Sequence, residues 1–411
     1  RLRQDRLAYD LGSDETRRFR DGRRVKPKAA AWTPGLGLAL LALAAIVMRG
    51  LHLDWGFPAV YEEATPAREA VEFWGAPGGG VNLDPGFYKY PSLTLYLQFV
   101  VQAAWFFVLS LKGSVGSLNE FRQILREDLT AVILLARWVQ VVVGALVVVP
   151  VFVFAKRLAG PVAAWVAAAL VAVLPVAVAE SRVVGPDAAL LLFSAAALAS
   201  GAALARQGRR SDYLWTGLWI GLAASAKYPG ALLAVVLLAA HGVSPARARG
   251  GPGALVFSSN LLQAGFVAVL AFAITSPYVL LSAQAALQDI AFERRHMALG
   301  HLGREDGRAW SFYLGHAIPR GWTLAVAVGA LLGGASLAFR RTTRAVWLPG
   351  ALFAAVMLLI VGSWTMAAPR YILPLAAVAV VWCGALVGWL WERRPLAAGR
   401  SLGAALALLL V

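Results

Sequence analysis

The sequence predicts an all-α, polytopic helical membrane protein, and three observations carry that prediction. Of the 411 residues, 59% are hydrophobic and only 15% charged, and the mean hydropathy of +0.67 lies well above that of soluble chains. Separate apolar runs of about 20 residues recur, each long enough to cross a hydrocarbon core as a helix. Strands of a membrane barrel would be shorter and would alternate. The single cysteine, Cys383, lies inside one of these runs, so neither a disulfide framework nor a thiolate metal cluster is available.

The elements follow in order. Residues 1–32 are basic and poor in apolar side chains, which suits a cytoplasmic tail and not a cleavable signal peptide. The chain starts at Arg1 without a Met and stops inside the apolar run 402–411, as expected of a fragment with a truncated C-terminus. Residues 33–411 form the transmembrane domain. Spans are expected at 33–53, 128–155, 158–180, 188–205, 255–281, 319–338, 346–363, 369–391 and from 402 onward. Two stretches are ambiguous. The run 91–111, "PSLTLYLQFVVQAAWFFVLSL", is long enough to cross, and 213–241 is apolar but interrupted at "AKYPG".

Charge bias arbitrates, because every extra crossing reverses the side on which later loops fall. If 91–111 is a juxtamembrane or re-entrant element and 213–241 dips out and back as two half-length helices, the basic clusters at 156–157, 206–210, 246–249, 340–344 and 392–394 all join the tail inside. This gives roughly 10–11 membrane helices. Two large extracytoplasmic loops result, 54–127 and 282–318, and they hold many of the carboxylates. The formal charge of +16 then has a topological origin and does not point to nucleic acid.

The chemistry is expected on that acidic face. Glu62 and Glu63, in "FPAVYEEATPAREAVEFW", lie just beyond the first span beside Pro58 and Tyr61; like charges so close raise one another's pKa, which suits one of them to act as a base. Glu69 and Glu72 read as solvated loop charges. Asp187, in "ESRVVGPDAALLLF", opens a span behind Pro186, where the helix dipole favours a carboxylate. Lys227, inside "SAKYPG", is a cation in apolar sequence and needs a partner or an anionic ligand; Arg49 and Arg137 pose the same question. Lys89 with Tyr90, Lys227 with Tyr228, and Arg370 with Tyr371 are cation–aromatic pairs at predicted membrane edges. His296 and His301 are five residues apart, not the spacing that sets two imidazoles on one helical face, so no metal site is expected. No phosphate-cradling glycine loop of the GxxxxGKS/T kind occurs.

The order "NLDPGFYKYPSLTLYL", "LLARWVQVVVGALVVVPVFVFAKRLAG", "ESRVVGPDAALLLF", "GLWIGLAASAKYPGALL", "PRYILPL" resembles the C-type (GT-C) membrane glycosyltransferases, in particular the branch of protein O-mannosyltransferases and lipid A aminoarabinose transferases. The resemblance runs from about residue 36 to about 375. Family members commonly carry Asp-Glu after the first span, where this chain has Glu62-Glu63. It implies a multi-pass enzyme of the plasma or inner membrane, a hexosyl- or pentosyltransferase. Such an enzyme takes a sugar from a polyprenyl- or dolichyl-phosphate and passes it to a hydroxyl of a protein, glycolipid or glycan on the extracytoplasmic face. Glu62 or Glu63 would be the base and Asp187 a second acid. Lys227 matches a position associated with the lipid phosphate, and Lys89, Tyr90, Arg137, Tyr228, His296, His301, Arg370 and Tyr371 are further candidates for donor or substrate binding. The lipid donor is already activated, so no nucleotide cofactor is expected, and dependence on a divalent metal is left open. The alternative is a multi-span transporter or flippase of lipid-linked sugars, with Arg49, Arg137 and Lys227 lining a path.

Overall fold

The computed structural model describes residues 34–57, 64–249, 251, 253, 258–300 and 309–393. The chain divides into residues 1–39 and 40–411. Of the first unit only 34–39 are described, as the opening turns of α1 (Pro34–Gly50). The second contains α2 (Ala64–Glu72), α3 (Leu93–Leu111), α4 (Leu118–Glu127), α5 (Leu129–Ala159), α6 (Pro161–Val173), α7 (Pro175–Glu180), α8 (Asp187–Gln207), α9 (Arg210–Ala226), α10 (Ala234–Val243), α11 (Ser259–Thr275), α12 (Pro277–Leu281), α13 (Ala283–Leu299), α14 (Leu324–Phe339), α15 (Arg341–Gly362) and α16 (Leu373–Glu392). No strand occurs among the described residues. Among the described residues, six helices are long and apolar enough to cross a membrane, and four further apolar helices are shorter. The chain is a multi-pass membrane protein. The expected span from 402 onward lies outside the described residues.

Local chemistry explains where the spans break. The expected span 158–180 divides at Leu174, because Pro175 opens α7 and cannot continue the donor ladder of α6. The expected span 255–281 divides likewise at Ser276, before Pro277. The stretch 213–241 is two helices and not one: α9 ends at Ala226, a 3₁₀ turn covers Tyr228–Leu233, and α10 returns. The Tyr213 hydroxyl, near the start of α9, lies 2.6 Å from His241 Nδ1, near the end of α10, so the pair is a hairpin. Gly230 sits in the reversal; a Cβ there would come within 2.2 Å of the Ala223 backbone. Close helix contacts use the same device. On α9, Gly217 and Gly221 face the backbone of Ala264 and Ala268 on α11, with Cβ positions 2.2 and 2.3 Å from the carbonyl oxygens. This is the small-residue packing that brings helices together in lipid.

The basic clusters gather at one end of the bundle. Gly208 abuts Ala246, Arg157 lies in electrostatic range of Asp212, and Arg340 and Arg393 share the Trp389 ring. The opposite end holds the start of α5, whose Arg137 binds residues just after α1. It also holds the α9–α10 reversal and Ser276, whose hydroxyl is 2.6 Å from that of Ser225.

Helix α3 lies across this second end. Its first turn is there, since Ser92 N–H donates to Ser276 Oγ at 2.9 Å. Its later residues Phe99, Trp105, Phe106 and Leu109 pack in one cluster with Val132, Ile133 and Ala136 from the first turns of α5. Helix α4, capped by Ser117 and by Asp128, closes over it, with Phe121 fully buried against Trp105 and Phe106. Although α3 is apolar enough to cross, both its ends are therefore on the same side of the bundle. It is one unbroken helix, so the re-entrant form is absent and the juxtamembrane one present.

Candidate active site

Asp187 begins α8, its carboxylate at the positive end of a 21-residue helix. Lys227 sits 40 residues on, in extended backbone at the C-cap of α9, where Pro229 prevents the helix from continuing. The two meet: Lys227 Nζ donates to Asp187 Oδ1 at 2.8 Å, with side chains 16% and 7% exposed. The partner that a lysine in apolar sequence requires is thus a carboxylate of this chain. Tyr371 completes the group, its ring centroid 5.4 Å from Lys227 Nζ and 5.6 Å from the Arg370 guanidinium carbon.

Segments of the two large loops expected at 54–127 and 282–318 approach this group. The Tyr228 hydroxyl donates to the Tyr88 carbonyl at 2.8 Å, so Lys227 and Lys89 flank a single hydrogen bond. Lys89 Nζ lies 4.9 Å from the ring centroid of Phe292 on α13, and His296 stacks on the same ring, one turn further. Tyr90 packs edge-on against Phe87. Loop 84–88 is pinned to α12 and α13: Tyr88 N–H donates to Asp289 Oδ2 at 2.8 Å, Ser282 Oγ donates to Asp84 Oδ2 at 3.1 Å, and the Tyr88 hydroxyl donates to Asp84 Oδ1 at 2.5 Å. Burial pushes the Asp84 carboxyl up, but the hydrogen bonds from Tyr88, Gly86 and Ser282 outweigh it and hold the group below its ordinary value. The Asx turn in "NLDPG" is visible in the sequence, with Gly86 N–H donating to Asp84 Oδ1. The clamp across some 200 residues to Ser282 and Asp289 has no local signal.

Glu69 also differs from its expected role as a solvated charge. It is half-buried on α2, and burial, then Glu72, push its carboxyl up while Lys89 opposes them. A carboxylate of raised pKa thus stands in electrostatic range of Lys89. Glu62, Glu63 and His301 lie outside the described residues.

Arg137 departs from the expectation that grouped it with donor-binding cations. It is fully buried, donates to the carbonyls of Leu53 and, at 2.8 Å, Trp55, and lies between the rings of Trp55 and Phe57 at 4.7 and 4.9 Å. Arg182 likewise donates to Leu51 and His52, and Arg49 to Val171 and Ala172, carbonyls freed by the break before Pro175. Arg137 and Arg182 thus clasp the backbone just after α1, and Arg49 ties α1 to the end of α6. Each thereby satisfies backbone carbonyls in an apolar setting. Among the described residues, no group of three or more His, Cys, Asp or Glu is placed to hold a metal.

Residues 130–281 match the family model described as dolichyl-phosphate-mannose-protein mannosyltransferase. No curated protein sequence matches the chain. Among solved structures, ArnT from Cupriavidus metallidurans bound to undecaprenyl phosphate superposes with a TM-score of 0.61 at 18% identity, over 90% of this chain and 62% of that one. The apo oligosaccharyltransferase of Archaeoglobus fulgidus gives 0.57 at 14%, over 90% and 53%. The oligosaccharyltransferase AglB from Archaeoglobus fulgidus, in complex with an inhibitory peptide and a dolichol-phosphate, gives 0.55 at 14%, over 92% and 54%. The chain thus spans between about half and three-fifths of the structures it resembles. The order of its helices, the first-loop helix laid across one end of the bundle and these superpositions together give this chain the fold of the GT-C membrane glycosyltransferases.

Proposed function

We propose that the chain moves a sugar from a polyprenyl- or dolichyl-phosphate to an acceptor hydroxyl, with inversion, on the membrane face opposite its basic clusters. The observation that carries this reading is the Asp187–Lys227 pair, built at a helix reversal beside Arg370 and Tyr371, with the neighbouring Tyr228 bonded to the Tyr88 carbonyl. The ligands named for the similar ArnT and AglB structures, undecaprenyl phosphate and dolichol-phosphate with a peptide, support the same donor class.

The reaction follows from the groups. An acceptor hydroxyl is a weak nucleophile at neutral pH, so a carboxylate takes its proton as the oxygen attacks the anomeric carbon. Glu62 or Glu63 is that base. The bond from the anomeric carbon to the phosphate oxygen breaks, and the lipid phosphate leaves with an added negative charge. Lys227, Lys89 and Arg370 stabilise that charge as it develops, and Asp187 holds Lys227 in place and orients the acceptor. A single displacement inverts the configuration. The transporter alternative loses two of its three cations, since Arg49 and Arg137 are turned onto backbone carbonyls.

Purified protein given a radiolabelled polyprenyl-phosphate sugar and membrane acceptors is expected to transfer label. Glu62→Gln with Glu63→Gln is expected to abolish turnover while the protein remains folded. Undiminished transfer by that double variant would remove the proposed base.

A further inference from the structure

Helix α13 inverts the usual amphipathic order. Ala286, Asp289, Ile290, Glu293, His296 and Met297 are buried or half-buried, and every other residue from Ala283 to Leu299 is exposed. Their spacing of three to four residues keeps them on one face. The outward side holds Leu287, Phe292 and Leu299, each more than half exposed. The packed face thus carries two carboxylates and an imidazole, where an ordinary surface helix carries apolar side chains.

That face is tied to the candidate site at two points. Asp289 accepts from Tyr88 N–H at 2.8 Å. About two turns further on, the Met297 carbonyl accepts from the N–H groups of Thr365 and Met366 at 3.1 and 3.2 Å, in the loop that leads to Arg370 and Tyr371. Glu293 lies midway between these ties on the same face, and it and Asp187 both act electrostatically on Tyr371. Asp289 is occupied by Tyr88, whereas Glu293 has neither a hydrogen bond nor an ion pair among the described residues. The adjacent Arg294 and Arg295 are exposed and form no ion pair with it. A half-buried carboxylate costs free energy until a donor meets it.

We propose that Glu293 reads the transferred sugar, accepting hydrogen bonds from its hydroxyls and selecting an uncharged sugar over a uronic acid. The assignment rests on the donor class proposed above. With the lipid phosphate held at Lys227 and Arg370, a carboxylate beside Tyr371 repels the phosphate itself and meets the sugar that the phosphate carries. Its two oxygens accept from neighbouring hydroxyls, and such bonds to a charged acceptor are the stronger kind. Asp187 and Glu293 together set two negative charges about the sugar, which count against a carboxylate on it.

Native mass spectrometry of the full chain in detergent tests this with three lipids: undecaprenyl phosphate, mannosyl undecaprenyl phosphate and glucuronosyl undecaprenyl phosphate. Relative to wild type, Glu293→Gln is expected to bind the mannosyl lipid about ten-fold more weakly, the effect of roughly one charge-assisted hydrogen bond. It is expected to bind the glucuronosyl lipid more tightly and bare undecaprenyl phosphate equally well. Opposite shifts for two sugars on one phosphate do not arise from loosened packing, and retention of the bare lipid shows that the variant is folded. A parallel loss for all three lipids would make Glu293 structural and overturn the assignment. Unchanged affinities in the variant would overturn it too, while leaving the donor class standing. Failure of wild type to bind any of the three would overturn both.

Discussion

Replacing Lys227 by Met removes a cation while keeping most of its length, and the structure sets the size of the effect. At 2.8 Å from Asp187, the attraction is about 6 kcal/mol at an effective dielectric constant near 20. Desolvating the two ions takes back several kcal/mol. What the single variant exposes is the remaining charge: Asp187 is 7% exposed and would be left without its counter-ion. Breaking such a pair from one side costs about 3 kcal/mol. Asp187→Asn should cost somewhat less, because Lys227 retains the Tyr371 ring. The double variant, with neither charge, should recover part of the loss and give a coupling of about 2 kcal/mol. The assay is reversible unfolding in mixed micelles for all four proteins, paired with label transfer. Losses that add within about 0.5 kcal/mol would show that the two groups are independent, and the reasoning would fail. Transfer by a folded double variant at the wild-type rate would make the pair structural and separate it from the chemistry.

Two further outcomes are expected. Tyr88→Phe deletes a hydrogen bond to Asp84, whose folded pKa is depressed; stability from such a group is present above the unfolded carboxylate pKa and is lost as pH falls through the folded one. The variant should therefore be less stable than wild type by about 1 kcal/mol at pH 7, and the difference should close as the pH is lowered below 4. A gap independent of pH in unfolding measurements would contradict this. Gly217→Leu should separate α9 from α11, since even a Cβ would lie 2.2 Å from the Ala264 carbonyl oxygen. A loss of about 2 kcal/mol or more is expected, whereas Gly265→Leu on α11, where nothing lies within 4 Å, should be nearly neutral.

Much of the architecture was legible without coordinates. The spans follow from hydropathy, the break at Lys227 from "KYPG", and the start of α8 from Pro186 and Asp187. The position of α3 followed from parity alone, because a crossing there would have placed five basic clusters on the wrong side. Less legible were the site's connections. Glu69 read as an ordinary loop charge until Lys89 and its own burial were visible. For Arg137 a backbone carbonyl was an expected partner, but nothing in "LLARWVQ" says that it would be those of Leu53 and Trp55.

The division has a physical cause. In lipid, each helix satisfies its own backbone, so its existence and length depend on local composition and on where proline or a charge interrupts it; that much belonged to the sequence by itself. Which side chains then meet depends on how closely helices approach and at what turn they face. Here that is governed by contacts such as Gly217 on Ala264 and Gly333 on Trp382, formed between residues far apart in the chain. Only the tertiary structure decided that Lys227 would be neutralised by Asp187 and that Arg137 would meet the carbonyls of Leu53 and Trp55. It alone decided, too, that Tyr88 would be held by Asp289 two hundred residues away.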